Sequence, residues 1–512
     1  MLPFETFSAL AARGSLVPVT DTLLADFETP VSVLSRVKDD ENVFLLESVE
    51  AGERYGRFSF IGLNARRVFR VINGRAFLDE SGRRRELAVP AGEPPLFALR
   101  ALMRGVTPAV PEGLPPFIGG AVGAIGYETV GEFERIPAPK PAPAGAAPET
   151  TAMMLVDDLV IFDNLRHTVT LLAAVRTDEF DSLEAAYAGG VRRVEAIRAR
   201  LASAPVHPEA GVFPTPELVS NCTESSFCEM VREAKRRIVE GDIIQVVLSQ
   251  KFSGSSTIPP LSLYRALRLI NPSPYTFFMK MGETILVSSS PETLCRAEPA
   301  RNGGKEDGEA GDAGERRLHA LLRPIAGTRR RGGTPEKDAE HERELLENEK
   351  ERAEHLMLVD LARNDLGRVA APGSVRVPDF MRVQKFSHVM HIVSTVEGEL
   401  ARGKDAFELI RSAFPAGTLS GAPKVSAMRI IRDLEPEPRG LYGGAAGYFG
   451  YDGSMDLAIT IRTIILRGER MEIQSGAGIV FDSDPKAEYE ETRSKAAAMM
   501  RAIELAAKGL AL

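Results

Sequence analysis

The 512 residues contain no tryptophan and only three cysteines. Cys222, Cys228 and Cys295 offer neither a disulfide framework nor a metal-ligand spacing. No apolar run approaches the roughly 18–20 residues of a membrane span. The first ten residues include Glu5 and lack the basic and apolar regions of a signal peptide. Basic stretches are scarce too. Arg329-Arg330-Arg331 is too short to track a phosphate backbone, and a net charge of −8 with a pI near 5.7 argues against nucleic acid. What remains is ordinary for a soluble globular protein: 44% hydrophobic and 26% charged residues. The expectation is a cytoplasmic enzyme or binding protein, with neither a membrane nor a nucleic acid as partner.

Length allows about two to four folding units. Proline and alanine cluster at 136–148, which reads as an extended loop, and a second loosened stretch covers 204–216. A third, 298–316, is rich in Gly, Glu and Asp and reads as a solvated excursion. Strand-like runs occupy 43–46, 153–162, 168–175 and 243–248. Helical patterns cover 181–201 and 227–240. Thr334-Pro335 supplies a cap and a first-turn proline for a long helix reaching about residue 363, and Pro485 opens a last helix. There is no internal repeat. Strands in both halves with segregated helices predict an α+β protein rather than a doubly wound sheet.

Two glutamate pairs carry the most chemical information. Glu351 and Glu354, and again Glu488 and Glu491, stand three residues apart, so each pair shares one helix face. Each also has the plain reading of a solvated face. Register favours more: Glu354 is followed by His355 and Leu358 where the sequence turns apolar, and buried carboxylates need a partner. Two such faces brought together repel unless a cation lies between them. A hard divalent cation such as Mg²⁺, which takes a few carboxylates, waters and an anionic ligand, satisfies that pattern.

Other segments are suggestive singly. The stretch 417–424 (GTLSGAPK) departs from a Walker A spacing and reads equally as an ordinary turn or as a loop whose amides and Thr418 hydroxyl could hold a carboxylate. The stretches 324–329 and 476–479 read as small-residue loops where backbone approaches a ligand closely. His391 lies in an apolar run; a core histidine is the plain reading, and the same surroundings would keep it neutral and able to move a proton. Glu292 follows a buried-looking strand, where a raised pKa suits a general acid.

Taken together the chain resembles the chorismate-utilising enzymes, most closely their anthranilate synthase component I branch. The likeness is densest from residue 241 onward, in GDIIQVVLSQ (241–250), SSSPET (288–293), PIAGTRRRG (324–332), EHLMLVDLARNDLGRV (354–369), SHVMHIVS (387–394), FPAGTLSGAPK (414–424), YGGAAGYFGYDG (442–453), AITIRT (458–463), GAGIVFDSDP (476–485) and EYEETRSK (488–495). Two positions sort the family. Members that add water carry a lysine where this chain has Gln245, and ammonia needs no such base. Aminodeoxychorismate synthases, the neighbouring reading, carry a lysine where Ala326 stands here.

The resemblance implies large antiparallel sheets packed as a sandwich with helices outside. It also implies an N-terminal region (1–217) contributing a tryptophan feedback site and a catalytic region (218–512) binding chorismate. It further implies Mg²⁺ on Glu354 and Glu491, with Glu351 and Glu488 orienting its waters. Gly327, Thr328, Tyr442, Arg462, Gly476, Ala477, Gly478 and Lys495 would hold chorismate, with Thr418 beside its ring carboxylate. Glu292 would be the acid of the first step and His391 would move the proton of the second. The implied effector site is Leu46, Glu47, Ser48, Pro274, Tyr275, Thr276, Gly447 and Tyr448, with Thr276 standing where methionine is frequent. No cysteine sits in a nucleophile elbow, so ammonia would come from a separate glutamine amidotransferase subunit.

Overall fold

The computed structural model describes residues 1–48, 56–141, 149–204, 211–300, 317–386 and 389–511. Two antiparallel sheets of twelve strands each dominate it, accompanied by twelve α-helices among the described residues. One sheet runs, in spatial order, from Leu16–Leu24 through Thr168–Arg176, Asp158–Asp163, Phe58–Leu63, Asn42–Glu47, Tyr275–Met281, Thr284–Ser290, Thr463–Arg467 and Arg470–Ile479 to Gln245–Ser255 and Val219–Ser220. The other places Ile325–Arg330 and Val389–Glu399 at one end and Arg75–Glu80 and Arg83–Glu86 at the other. Both sheets therefore draw strands from either side of residue 217.

Alternation along the strands explains the layering. In Asn42–Glu47, Phe44 joins a core shared by both sheets, while Val43 and Leu45 face the opposite side. Leu172 and Ala174 likewise point inward, and Leu171 and Ala173 outward. The outward set is covered by helices, among them Leu183–Leu201, Pro260–Ile270 and Pro485–Ala507. A sheet buried on both faces needs apolar residues at every position, so its strands read as continuous hydrophobic runs. That is why the 153–162 run looks like one strand and is two. The chain leaves one sheet after Glu149–Val156 and enters the other at Asp158–Asp163, turning at Asp157.

The expected long helix after Thr334 is also two. Pro335–Glu347 ends at Asn348, which is extended (φ −70°, ψ 109°) and caps Glu349–Gly367 by accepting the Glu351 N–H at 3.0 Å. Helices over Leu183–Leu201, Glu224–Val239 and Pro485–Ala507 match the sequence patterns. The two small-residue stretches are paired strands rather than loops. Gly476 and Gly478 lie opposite Ser249 and Val247 in Arg470–Ile479, and Gly327 sits at a register break in Ile325–Arg330. The 298–316 excursion falls almost wholly outside the described residues. Among the described residues no helix is long and apolar enough to cross a membrane.

A buried ion pair pins the strand that begins at Gln245. Arg439, 3% exposed, donates to both Glu435 oxygens at 2.6 and 2.9 Å, to the Leu419 carbonyl at 2.6 Å and to the Val247 carbonyl at 2.8 Å. Glu435 also accepts from the Ser249 N–H and hydroxyl. The guanidinium lies 4.6 Å from the Tyr127 ring centre and 5.7 Å from that of Tyr442. Arg439→Met is expected to strand the Glu435 charge and to cost about 3–5 kcal/mol. Urea unfolding checks this, and a loss below about 1 kcal/mol would contradict it.

Candidate active site

The side chains singled out in the sequence converge where the two sheets meet the helices Glu349–Gly367 and Pro485–Ala507. Glu292 follows the buried strand Thr284–Ser290 and is 8% exposed. Burial raises its carboxyl to about 8, offset in part by the Thr418 hydroxyl and by Lys495 and Arg462 nearby. Thr418 Oγ1 donates to Glu292 Oε1 at 2.9 Å, so this hydroxyl holds the acid. Arg462 is half-buried; desolvation pulls its pKa down, and the Glu292 charge opposes that shift. It is one of seven non-glycine residues with positive φ among those described (+49°), in the left-handed region that side chains enter reluctantly.

His391 is fixed by its first nitrogen. Nδ1–H donates to the Gly327 carbonyl at 2.8 Å, and the Thr328 hydroxyl lies 3.1 Å from the same nitrogen. Nε2 is then the basic nitrogen of that tautomer. Burial lowers the imidazole pKa, so the ring is neutral at neutral pH. Gly327 has φ +64°, and a Cβ there would stand 3.0 Å from Glu351 Oε2. The glycine thus lets the histidine's anchor pass close beneath the first glutamate pair.

The glutamates face one another across the two helices. Glu354 is pushed up by burial and by Glu351 and Glu491, and held down by a hydrogen bond from Gln245 and by Lys495. Glu488 is pushed up by burial and by Glu491, and held down by Ser483, Lys350 and Lys495. Two cations pair with these carboxylates: Lys495 Nζ lies 2.8 Å from Glu491 and donates to the Gly476 carbonyl at 3.1 Å, while Arg329 donates to Glu351 at 3.1 Å. Among the described residues no group of three or more His, Cys, Asp or Glu is arranged to hold a metal ion. The donor set is nonetheless all carboxylate oxygen under mutual repulsion, which suits a hard divalent cation and no soft one. Arg329, which links Glu351 to Glu344, was not singled out in the sequence, where it belongs to a basic run weighed only as a phosphate-binding stripe.

The glycine-bearing strand closes one wall. A Cβ on Gly476 would meet the Tyr442 hydroxyl at 2.9 Å, and one on Gly478 would meet Gln245 Nε2 at 2.7 Å. Ala477, between them, turns its side chain into a separate apolar cluster. Gly476 and Gly478 are therefore small because Tyr442 and Gln245 need the space.

The second group of sequence-selected residues is split: Leu46 and Tyr448 pack against the core shared by both sheets, while Glu47 turns to the face covered by Pro260–Ile270. Leu46 and Glu47 pair with Phe277 and Thr276, and Tyr448 pairs with Asp456 in the other sheet. Tyr275 joins the two sheets by donating to Asp456 at 2.8 Å. Gly447 lies opposite Leu457, and the Tyr448 ring packs at 4.4 Å against Phe117. Pro274 is half-buried and Thr276 buried. Glu47 already has partners: Arg268 at 3.0 and 3.2 Å, and the Tyr264 hydroxyl. Neither partner was foreseen. The Ser48 hydroxyl is buried without a hydrogen-bond partner. Two contacts run from this region toward the catalytic side: Tyr275 Oη lies 2.9 Å from Thr293 Oγ1, next to Glu292, and Asn271 Oδ1 accepts from Arg462 at 3.1 Å.

The family profile described as chorismate binding enzyme matches residues 41–501, most of the chain. The chain belongs to that family. Curated relatives of this chorismate-binding protein agree over their whole length. Anthranilate synthase component 1 of Neisseria gonorrhoeae is 42% identical over 515 residues, covering 100% of both chains. That of a Synechocystis species is 42% identical over 522 residues, covering 98% of each. The crystal structure of anthranilate synthase component I from Streptococcus pneumoniae superposes with a TM-score of 0.74 at 32% identity, covering 93% of this chain and 99% of that one. The menaquinone-specific isochorismate synthase of Escherichia coli, 17% identical with a TM-score of 0.68, covers 98% and 100% and shares the fold. Two large antiparallel sheets with outer helices are thus the chorismate-binding architecture that the sequence led one to expect.

Proposed function

We propose that this chain is the large subunit of an anthranilate synthase, joining ammonia to chorismate and releasing anthranilate and pyruvate in the first committed step toward tryptophan. The observation that carries the reading is one continuous site, from a buried acid (Glu292) through Arg462 to a neutral imidazole (His391), bordered by four glutamates. It lies in a chain aligned end to end with proteins of that name.

Glu354 and Glu491, with Glu351 and Glu488 behind them, would hold Mg²⁺. When bound, the cation supplies Lewis-acid polarisation at the substrate's ring carboxylate. Arg462 and Tyr442, with Gly476, Ala477 and Gly478 as a flat wall, would receive the enolpyruvyl carboxylate. Gly327 and Thr328 would line the ring site. Glu292, protonated at neutral pH, gives its proton to the departing 4-hydroxyl, which is otherwise a poor leaving group. His391 Nε2 takes the carbon-2 proton in the second step, with Gly327 keeping the reactive tautomer in place. Lys495 would move from Glu491 to the substrate as the cation enters.

We further read 46–48, 274–276 and 447–448 as a tryptophan feedback site. Its support is two contacts, Asn271, just before 274–276, to Arg462, and Tyr275 to Thr293, the neighbour of Glu292. The ammonia source is a separate glutamine amidotransferase subunit, and a cytoplasmic location follows from the pathway. The purified chain is expected to make anthranilate from chorismate with Mg²⁺ and ammonium, and none with glutamine alone. Anthranilate fluorescence distinguishes this product from a 4-amino species. Glutamine-dependent synthesis by the pure chain would refute the two-subunit arrangement.

A further inference from the structure

Lys424 and Asp365 form a buried ion pair that neither of their own helices favours. Lys424 is the first residue of Lys424–Leu434, and Asp365 lies in the last turn of Glu349–Gly367. A cation at a helix N-terminus and an anion at a C-terminus both oppose the helix dipole. Nζ nevertheless lies 2.7 Å from Asp365 Oδ2, with the two side chains 12% and 7% exposed. Burial outweighs the lysine and keeps the Asp365 carboxyl above its ordinary value. A pair so placed adds little stability; its consequence is geometric.

The pair closes the loop that carries Thr418. Lys424 Nζ also donates, at 3.0 Å, to the carbonyl of Ala413 at the end of Ala406–Ala413. Residues 414–423 are thus tied at both ends to one ammonium, and through it to Asp365. The loop lies on the face of Glu349–Gly367 that bears Leu358, Leu361 and Asp365. A Cβ on Gly417 would stand 2.9 Å from Leu361 Cδ1 and 3.6 Å from Leu358 Cδ2. Packing beneath the loop is incomplete, since a cavity of about 40 Å³ remains among Glu292, Thr418, Leu361 and Asp365. Apolar contact therefore leaves the height of the loop over the helix unset, and the ion pair sets it.

We infer that Lys424 and Asp365 are positioning residues for the acid: their pair fixes Thr418, and through it Glu292, relative to the helix that carries Glu351 and Glu354. The inference rests on the anthranilate synthase reading and adds to it the device that keeps acid and cation site at a set distance. Thr418 Oγ1 reaches Glu292 Oε1 at 2.9 Å, a contact that a loop shift of about 1 Å would break. Protonation of the leaving hydroxyl and polarisation by the cation act on one substrate molecule. An acid displaced by that amount therefore loses much of its effect.

Steady-state kinetics of the full chain with saturating chorismate, Mg²⁺ and ammonium test this in a cycle with Thr418→Val. Lys424→Met/Asp365→Leu removes both charges together and leaves neither stranded. In the wild-type background this pair of changes is expected to lower kcat about tenfold or more. In the Thr418→Val background, where the contact is already gone, it should cost less than about twofold. The alkaline limb of kcat should also move upward from about 8, because burial raises the Glu292 carboxyl and the Thr418 hydroxyl is the strongest of the groups opposing it. A merely structural role would lower kcat by the same factor in both backgrounds and leave the limb in place. That result, or a double variant with wild-type kcat, overturns the inference. Should the double variant melt early, Asp365→Asn goes through the same cycle, and a loss confined to the wild-type background is again required. Wild-type protein that forms no anthranilate would instead overturn the functional reading beneath it.

Discussion

Replacing Glu292 with Gln is expected to lower kcat with ammonium by about 10²–10⁴-fold, the usual worth of a positioned general acid. The change is close to isosteric, and Gln retains an oxygen to accept the Thr418 hydroxyl, so chorismate KM should move little. The pH profile separates this from simple damage. Burial places the Glu292 pKa near 8, above its ordinary 4.5, so the acid form is abundant below 8 and depleted above it. Wild-type kcat, referred to unprotonated ammonia, should therefore fall as pH rises through about 8, and the variant should lack that limb. Stability follows the same sign. A carboxyl whose folded pKa is raised contributes stability that is present below its unfolded pKa and lost as pH rises through the folded one. The variant, which has nothing to ionise, should outlast wild type in urea at pH 9. An unchanged alkaline limb in Glu292→Gln would assign the proton to another group.

Which parts of this arrangement were legible in the sequence follows from what each residue's signal depends on. These two helix starts were legible because Thr334-Pro335 and Pro485 act locally. The break at Asn348 was not, since an asparagine inside an acidic, exposed run changes no periodicity. The turn at Asp157 left a trace, two aspartates in an apolar run, but a sheet covered on both faces hides strand ends by removing alternation. Glycines 476 and 478 suggested a loop on composition. They belong to a strand because Tyr442 and Gln245, distant in sequence, press against it.

The candidate site shows the same division. Glu351, Glu354, Glu488 and Glu491 were visible as spacing, since neighbours three apart on a helix share a face whatever the tertiary context. Their counter-charges were not. Arg329 and Lys350 act from other turns or other elements, and Lys495 could be placed near the substrate only by resemblance. Likewise Glu47 was named only through the resemblance, and the Arg268 and Tyr264 that neutralise it come from Pro260–Ile270. Carboxylates that need a partner can be recognised one at a time; which partner satisfies them is a property of the fold.

Glu354→Gln is expected to remove Mg²⁺-dependent turnover, a loss on the order of 10³-fold if the cation contributes several kcal/mol of charge stabilisation. The substitution preserves shape and leaves an oxygen to receive the Gln245 amide, so the strand beginning at Gln245 should stay in place. It also removes one of the like charges that the fold holds together, so without Mg²⁺ the variant should be as stable as wild type or more so. The two proteins should diverge on adding Mg²⁺. A cation that binds only the folded state raises the melting temperature, and that rise should be present in wild type and small in the variant. Because bound cations require deprotonated ligands, and burial with Glu351 nearby raises the Glu354 pKa, the wild-type effect should weaken as pH falls. Tryptophan binding supplies the control. The chain has no indole of its own, so added tryptophan is the sole indole fluorophore, and its binding should be equal in both proteins. Turnover in Glu354→Gln within tenfold of wild type, with the same Mg²⁺ dependence, would place the cation away from these helices and leave Lys495 and Arg329 as their permanent counter-charges.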